Sequence, residues 1–396
     1  MRTEQYDSYI AITDWLQQRD QPVAITLTEL LEPAGGSEAI IFPPTYAFRE
    51  EDKHRAKAEN WLPYAISVLR KDANAQMEGT QCEGNICELD TVGSQANRME
   101  SVFSKSPLSS LTPQVLIKAK DAEVNLLDIG HRIADGVVRL SDLANEATKA
   151  FASLANDRNA LPLALLAPTS LLFGFWNSRE KESPKLAIKY PRILSSTIRA
   201  TNVAPVRRSA QFNAAVDNKS LGLAEILPEE SLSEIGLDSV PAAQTHGGVR
   251  VFGEITRRSE LNLVALRALA VFGKDGIDEV QTLKLRRYLL GLGLVAARVQ
   301  AAYNLRQGCL LVLKQNATPS AQTVFPNGKR EDFTWDFKTV YQFAIAAAKD
   351  FGVFQEKPEP KTFALRAERI SEALKAKTDD KTAKKTARAA KKKSAA

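Results

Sequence analysis

Three short runs hold the side chains that could act together chemically. The first is Asp90-Thr91-Val92-Gly93-Ser94-Gln95-Ala96-Asn97-Arg98-Met99-Glu100. Its spacing predicts a helix with Val92, Ala96, Met99 and Phe103 on the apolar side, Gln95, Arg98 and Ser101 on a polar side, and Asp90, Thr91 or Ser94 capping the first amides. A phosphate fits such a helix start, where free amides and the helix dipole favour an anion, and Arg98 could add a bidentate contact. The same residues serve equally well with Arg98 paired to a nearby carboxylate and Asn97 fastening a loop.

The second run is Gly130-His131-Arg132-Ile133-Ala134-Asp135. Leu126, Ile129, Ile133, Val137 and Leu140 recur at helical spacing, which predicts a helix presenting Asp128, His131, Arg132, Asp135 and Arg139 on its opposite face, although Gly130 and Gly136 weaken it. His131 and Asp135, four residues apart, have the spacing of an acid–base pair or of two metal ligands. The remaining histidines, His54 and His246, supply no third ligand at a metal-site spacing. The expectation is a network in which Asp135 orients His131 or Arg132, either as structure or to aim Arg132 at a polyanion.

The third run, Pro168-Thr169-Ser170-Leu171-Leu172-Phe173-Gly174-Phe175-Trp176-Asn177-Ser178-Arg179, predicts a strand over Leu171 to Trp176 that opens into a basic stretch. From Arg179 to Arg208 the chain carries Arg179, Lys181, Lys185, Lys189, Arg192, Arg199, Arg207 and Arg208 against Glu180 and Glu182. Such a run is ordinarily a solvated face. Its density makes Lys185, Arg192 and Arg199 candidates for contacts to a nucleic-acid backbone, which position a strand without reading its sequence.

Other chemistry finds little support. Cys82 and Cys87 are separated by four residues with no second pair, wider than a zinc knuckle. Gly79 to Gly84 lacks the following Lys-Ser or Lys-Thr of a phosphate loop, and no nucleophilic triad is recognisable. No catalytic residue, metal or cofactor is expected.

The elements that must position these runs belong to a chain of 396 residues, 44% apolar, which is enough for a sizeable core. Gly and Pro are scattered, so one large domain with insertions is expected over residues 1–374. Residues 375–396 hold eight lysines and Arg388 against Asp379 and Asp380, an excess of seven positive charges against +6 for the whole chain. A nucleic-acid site in the remainder must therefore be a local patch. With no large apolar residue, the segment 375–396 reads as a basic disordered tail. Three cysteines argue for a reducing compartment. Met1 to Leu16 lacks an apolar signal core, and the apolar stretch Leu161 to Trp176 is broken by Pro162, Pro168 and Gly174. A cytoplasmic protein without membrane contact is expected.

Tyr6, Ile10, Thr13 and Leu16 predict an opening helix, and Val23, Ile25 and Leu27 a half-buried strand. Val249 to Thr256 alternates like a strand, Leu261 to Leu269 reads as a strand turning into a helix, Leu285 to Val299 as a long helix, and Cys309 to Leu313 as a buried strand. Irregular alternation of this kind favours an α+β fold over a doubly wound sheet.

The three runs, with Leu31-Glu32-Pro33, Phe42-Pro43-Pro44-Thr45-Tyr46 and Lys189-Tyr190-Pro191-Arg192, resemble the Cas-seven-type RAMP backbone subunit of type I-G (formerly I-U) CRISPR effector complexes, over roughly residues 10–315. The resemblance implies an RNA-recognition-motif-like (ferredoxin-like) palm with finger and thumb insertions, and a non-catalytic subunit of a Cascade-type surveillance complex in antiviral defence. Copies would stack as an open helical oligomer along guide (CRISPR) RNA, a heterologous contact that does not close. Implied partners are guide RNA, other copies of itself, a fused RNA-processing and cap-binding subunit, a large DNA-recognition subunit, and target DNA paired to the guide. With the resemblance, Gln95, Asn97, Arg98, His131, Arg132, Arg139, Arg179, Lys185, Arg192 and Arg199 become the RNA-contact candidates. The alternative is a metal-dependent endoribonuclease cutting guide-paired target RNA, with Asp90, Asp121 or Asp128 as its acid.

Overall fold

The structure, a computed structural model, describes residues 14–17, 21–54, 62–68, 84–178, 184–212, 222, 240–299, 302–333, 336–371 and 374. Arg179, Cys82, the first residues of the expected opening helix and the expected tail lie outside the described residues.

The chain is mixed α+β and built on a curled antiparallel sheet of nine strands. In chain order these are β1 (Ala24–Pro33), β2 (Ile66–Val68), β3 (Asn85–Asp90), β4 (Leu194–Thr201), β5 (Ile255–Asn262), β6 (Ala302–Arg306), β7 (Cys309–Leu313), β8 (Ser320–Val324) and β9 (Arg330–Asp332). They lie side by side as β6-β7-β1-β5-β4-β3-β2, with β8 also paired to β1 and β9 to β8. β1 runs through the middle. One edge pairs with β5 from Ala24 opposite Asn262 to Leu31 opposite Ile255, and the other is shared by β8 and then β7.

The alternation read from Val23 to Leu27 is the pleat of β1, because successive side chains on a strand point to opposite faces. Ile25, Leu27 and Leu31 are buried among core residues, and Thr26 and Thr28 face the other way. β4 and β5 repeat the pattern, with Leu194, Ile198 and Leu261 inward and Ser195, Thr197, Arg199, Arg258 and Glu260 outward. Helices Val92–Glu100, Pro168–Phe173 and Glu279–Arg298 pack on the inner face. The long helix is as expected. Gly291 within it lies against helix Phe337–Phe351, where a Cβ would stand 2.9 Å from the Ala344 backbone, so only glycine lets the two axes come so close.

Four expectations need correction. Val249 to Thr256 is not one strand, since Val251 ends the strand Val240–Val251 and Ile255 opens β5. Residues 126–140 do not form one helix. They break into 3-10 turns at Leu126–Asp128 and Arg132–Ala134 and a short helix Gly136–Arg139, because Arg132 takes a left-handed φ of 56° while Asn125 and Asp135 cap new turns. The run Pro168–Phe173 is a helix rather than a strand. All six residues are buried, so no periodicity separates the two, and Pro168 at the first helical position tips it. Cys309–Leu313 is half-buried rather than fully buried, since Leu310 is exposed on the outer face.

Between β4 and β5 a two-stranded ribbon, Val203–Phe212 paired with Val240–Val251, departs from the sheet with two register shifts. Among the described residues no helix is long and apolar enough to cross a membrane.

Candidate functional site

β3 ends at Asp90 and delivers the chain into the helix Val92–Glu100, whose first turn is capped by Thr91 Oγ1 accepting from the Ser94 amide. Ala96, Met99 and Phe103 are buried as expected, seating this helix on the sheet. Gln95 is not on a polar surface. It is fully buried, donates to Asp90 Oδ2 at 2.7 Å, and accepts at Oε1 from Ser196 and from Arg257 Nε, each at 3.0 Å. Arg257 in turn donates to Glu29 Oε2 at 2.6 Å and to the Ala297 carbonyl. A helical wheel missed this because the sheet presents its own buried polar groups, Arg257 and Ser196, to that side of the helix.

Arg98 closes the same network. Its Nε donates to Asp90 Oδ2 at 3.0 Å and one terminal nitrogen to the Leu305 carbonyl at 2.6 Å, so its guanidinium braces β3 against β6. The carboxylate-paired arrangement is the one observed. The side chain of Asp90, about 1% exposed, lies among Gln95, Arg98 and, at 3.6 Å, Arg306.

Arg132 is a second departure, 4% exposed rather than on a polar face. Its terminal nitrogens donate to Asn97 Oδ1 at 3.1 Å and to the Gly174 carbonyl at 3.3 Å, and its guanidinium lies 5.4 Å from the Phe173 ring centre. Its Nε sits 2.6 Å from Glu100 Oε2, an ion pair in distance and charge without a hydrogen bond's alignment. Burial lowers the Arg132 pKa and pushes the Glu100 carboxyl up to about 7, against the pull of Arg132. Asp135 orients neither His131 nor Arg132, but caps the Val137 amide at 3.0 Å. The carboxylate that holds Arg132 is Glu100.

Through Arg132 the three runs meet around one cavity of about 420 Å3. Gly93 and Asn97 line it from the first run, Gly130, His131 and Arg132 from the second, and Gly174, Phe175 and Trp176 from the third, with Lys189, Tyr190 and Arg192 closing it. No carboxylate lines it among the described residues. His131, Lys189 and Arg192 are exposed. Phe175–Trp176 pairs with Lys189–Tyr190 as a minimal two-stranded sheet, so aromatic and cationic side chains are brought together by backbone hydrogen bonding. Phe175 stacks on Tyr190 at 5.8 Å, and burial pushes the Tyr190 phenol up to about 12, leaving it a neutral donor. Trp176 is 60% exposed, with Lys189 Nζ 5.7 Å from its ring centre. Gly174, at φ 73°, permits the join: a Cβ there would stand 2.8 Å from the Tyr190 carbonyl oxygen.

The other candidates lie elsewhere. Arg139 is half-buried in the short helix Gly136–Arg139, and Lys185 is exposed on the turn Pro184–Leu186. Arg199 stands on the outer face of the sheet, where it lines a second depression with Arg258 and Arg330 and lies 3.9 Å from Glu88. Sequence reasoning passed over Trp176, Lys189 and Tyr190 as site residues; the available signal was aromatic residues interleaved with cations across 175–192. Burial pushes the Cys87 thiol up to about 12, which keeps it protonated. Among the described residues no three His, Cys, Asp or Glu side chains cluster as metal ligands would.

All of these cavity residues fall in the part of the chain that has a recognisable relative. Residues 25–205 match the family model described as CRISPR-associated protein GSU0053. The match spans somewhat under half of the chain and supports a CRISPR-associated protein with a role in CRISPR defence. No curated protein matches the sequence.

Proposed function

We propose that this protein is a non-catalytic, guide-RNA-binding backbone subunit of a CRISPR surveillance complex, of the Cas-seven-type RAMP kind found in type I-G systems. The observation that carries this reading is the convergence of three separate sequence runs, through the Arg132 side chain, on a cavity lined by His131, Lys189 and Arg192 and by no carboxylate among the described residues. Lys189 and Arg192, exposed where no described residue supplies a lining carboxylate, favour a polyanion. The strand order supports an RNA-recognition-motif-like palm: β1 lies between β5 and the pair β7 and β8, β4 follows β5, and helices cross the inner face between β1 and β4 and between β5 and β7. In this reading copies of the subunit line up along the guide, beside a processing and cap-binding subunit and a large DNA-recognition subunit, and target DNA is read by pairing with the guide.

Asn97, His131, Arg132 and Arg192 belong to the cavity, Arg132 as the residue that shapes it rather than as an exposed contact. Gln95 and Arg98 act from behind by fixing the helix. The endoribonuclease alternative loses one of its acids, because the Asp90 carboxylate is buried and engaged by Gln95 and Arg98.

Expression with a guide RNA, followed by isolation of the protein, tests the reading. RNA of defined length co-purifies, and added complementary target RNA stays intact in magnesium. Absence of bound RNA contradicts the backbone role, and evenly spaced cuts that vanish in Asp128→Ala or Asp121→Ala establish the nuclease.

A further inference from the structure

Trp176, a large aromatic side chain, is 60% exposed where it lines this cavity. Its ring is held in place: the Phe175–Tyr190 pairing fixes the backbone, and Lys189 Nζ sits 5.7 Å from the ring centre. A flat π-surface next to two exposed cations, Lys189 and Arg192, fits a ligand that is aromatic at one end and anionic at the other. The cavity, about 420 Å3, lies within the range of small-ligand sites and accommodates one nucleotide. Asn97, whose oxygen is engaged by Arg132, keeps its amide nitrogen for a base or sugar acceptor.

We propose that Trp176 is a stacking platform for one unpaired nucleobase of a single strand, with Lys189 and Arg192 holding the adjoining phosphate. This rests on the RNA-binding reading and sharpens it, because it assigns a base-dependent part of the affinity to one residue that the backbone contacts do not explain. A paired base has both faces covered by its neighbours, so the platform discriminates single from double strands. It accepts all four bases, since each presents a π-face.

The test uses full-length protein and short single-stranded RNAs, one ordinary and one abasic throughout, so that sugar and phosphate remain and bases do not. Trp176→Leu binds the ordinary strand roughly tenfold more weakly than wild type, Trp176→Phe stays within about threefold, and all three bind the abasic strand alike. Because Trp176 is exposed, its variants keep the wild-type melting temperature, which is measured alongside. Equal affinity of Trp176→Leu and wild type for the ordinary strand overturns the platform. So does a loss of equal size on the abasic strand. Uridine monophosphate that competes at lower concentration than the strand overturns the assignment to a strand in favour of a free nucleotide. The underlying RNA reading fails separately: wild type then binds neither strand, or Lys189→Ala/Arg192→Ala binds both as well as wild type.

Discussion

Arg132 Nε and Glu100 Oε2 are 2.6 Å apart with side-chain exposures of 5% and 1%, so two of the three sequence runs are joined by a buried ion pair directly behind the cavity. Burial sets the Glu100 carboxyl at about 7 against an ordinary 4.5, so between those values the folded chain holds a proton that the unfolded chain releases. The resulting stabilisation is complete below about pH 4.5 and is lost as pH rises through about 7. The melting temperature of the wild type therefore falls from about pH 5 to about pH 8, and Glu100→Gln flattens the slope. Arg132→Met leaves Glu100 buried without its partner and costs about 3–5 kcal/mol at pH 8, read by denaturant unfolding. A slope unchanged by Glu100→Gln would mean that another group titrates.

Gly174→Ala forces a side chain into a left-handed φ of 73° and against the Tyr190 carbonyl. It destabilises by about 1–3 kcal/mol and, by moving Phe175–Trp176 off Lys189–Tyr190, weakens RNA binding more than an equally destabilising change in the helix Phe337–Phe351 does.

Arg98→Ala removes a charged hydrogen-bond partner from Asp90, which is buried, and frees the Leu305 carbonyl. The expected cost is about 1.5–3 kcal/mol in unfolding, with RNA affinity per folded molecule unchanged, because this side chain braces strands rather than lining the cavity. Reduced affinity at normal stability would put Arg98 in direct contact with RNA.

Arg192 and Arg199 separate by position. Arg192→Ala lowers affinity for all guide sequences alike and reduces the slope of log affinity against log salt by about 1, the signature of one lost phosphate contact. Arg199→Ala changes the slope much less, because Arg199 is on the opposite face of the sheet and near Glu88. Equal effects at the two positions would place RNA on both faces.

β1 was legible because a half-buried strand writes its pleat into the sequence, as in Ile25, Leu27 and Leu31, and β7 as an apolar run, whereas β2, β3, β4, β6, β8 and β9 drew no expectation. Thr91 was one of three residues expected to cap the helix Val92–Glu100, and the apolar stripe of Ala96, Met99 and Phe103 was legible from its helical spacing. Gln95 and Arg132 misled because a polar side chain reads as exposed until its buried partner is known, and those partners, Arg257 and Glu100, come from distant positions or from a neighbouring run. Residues 126–140 carried a helical apolar period, yet the backbone reverses at Arg132, which no periodicity encodes. The cavity itself needed Gly174, whose conformation brings Trp176 beside Lys189, and that juxtaposition is tertiary.

Photo-cross-linking of a thiouridine-substituted guide to the full-length protein, with the attached peptides identified by mass spectrometry, addresses the RNA site most directly. Cross-links within residues 130–132 and 174–192 are the expected result, reduced together in Lys189→Ala/Arg192→Ala. Cross-links confined to residues 375–396, or to the outer sheet face around Arg199 and Arg258, would contradict the cavity as the place where this protein holds RNA.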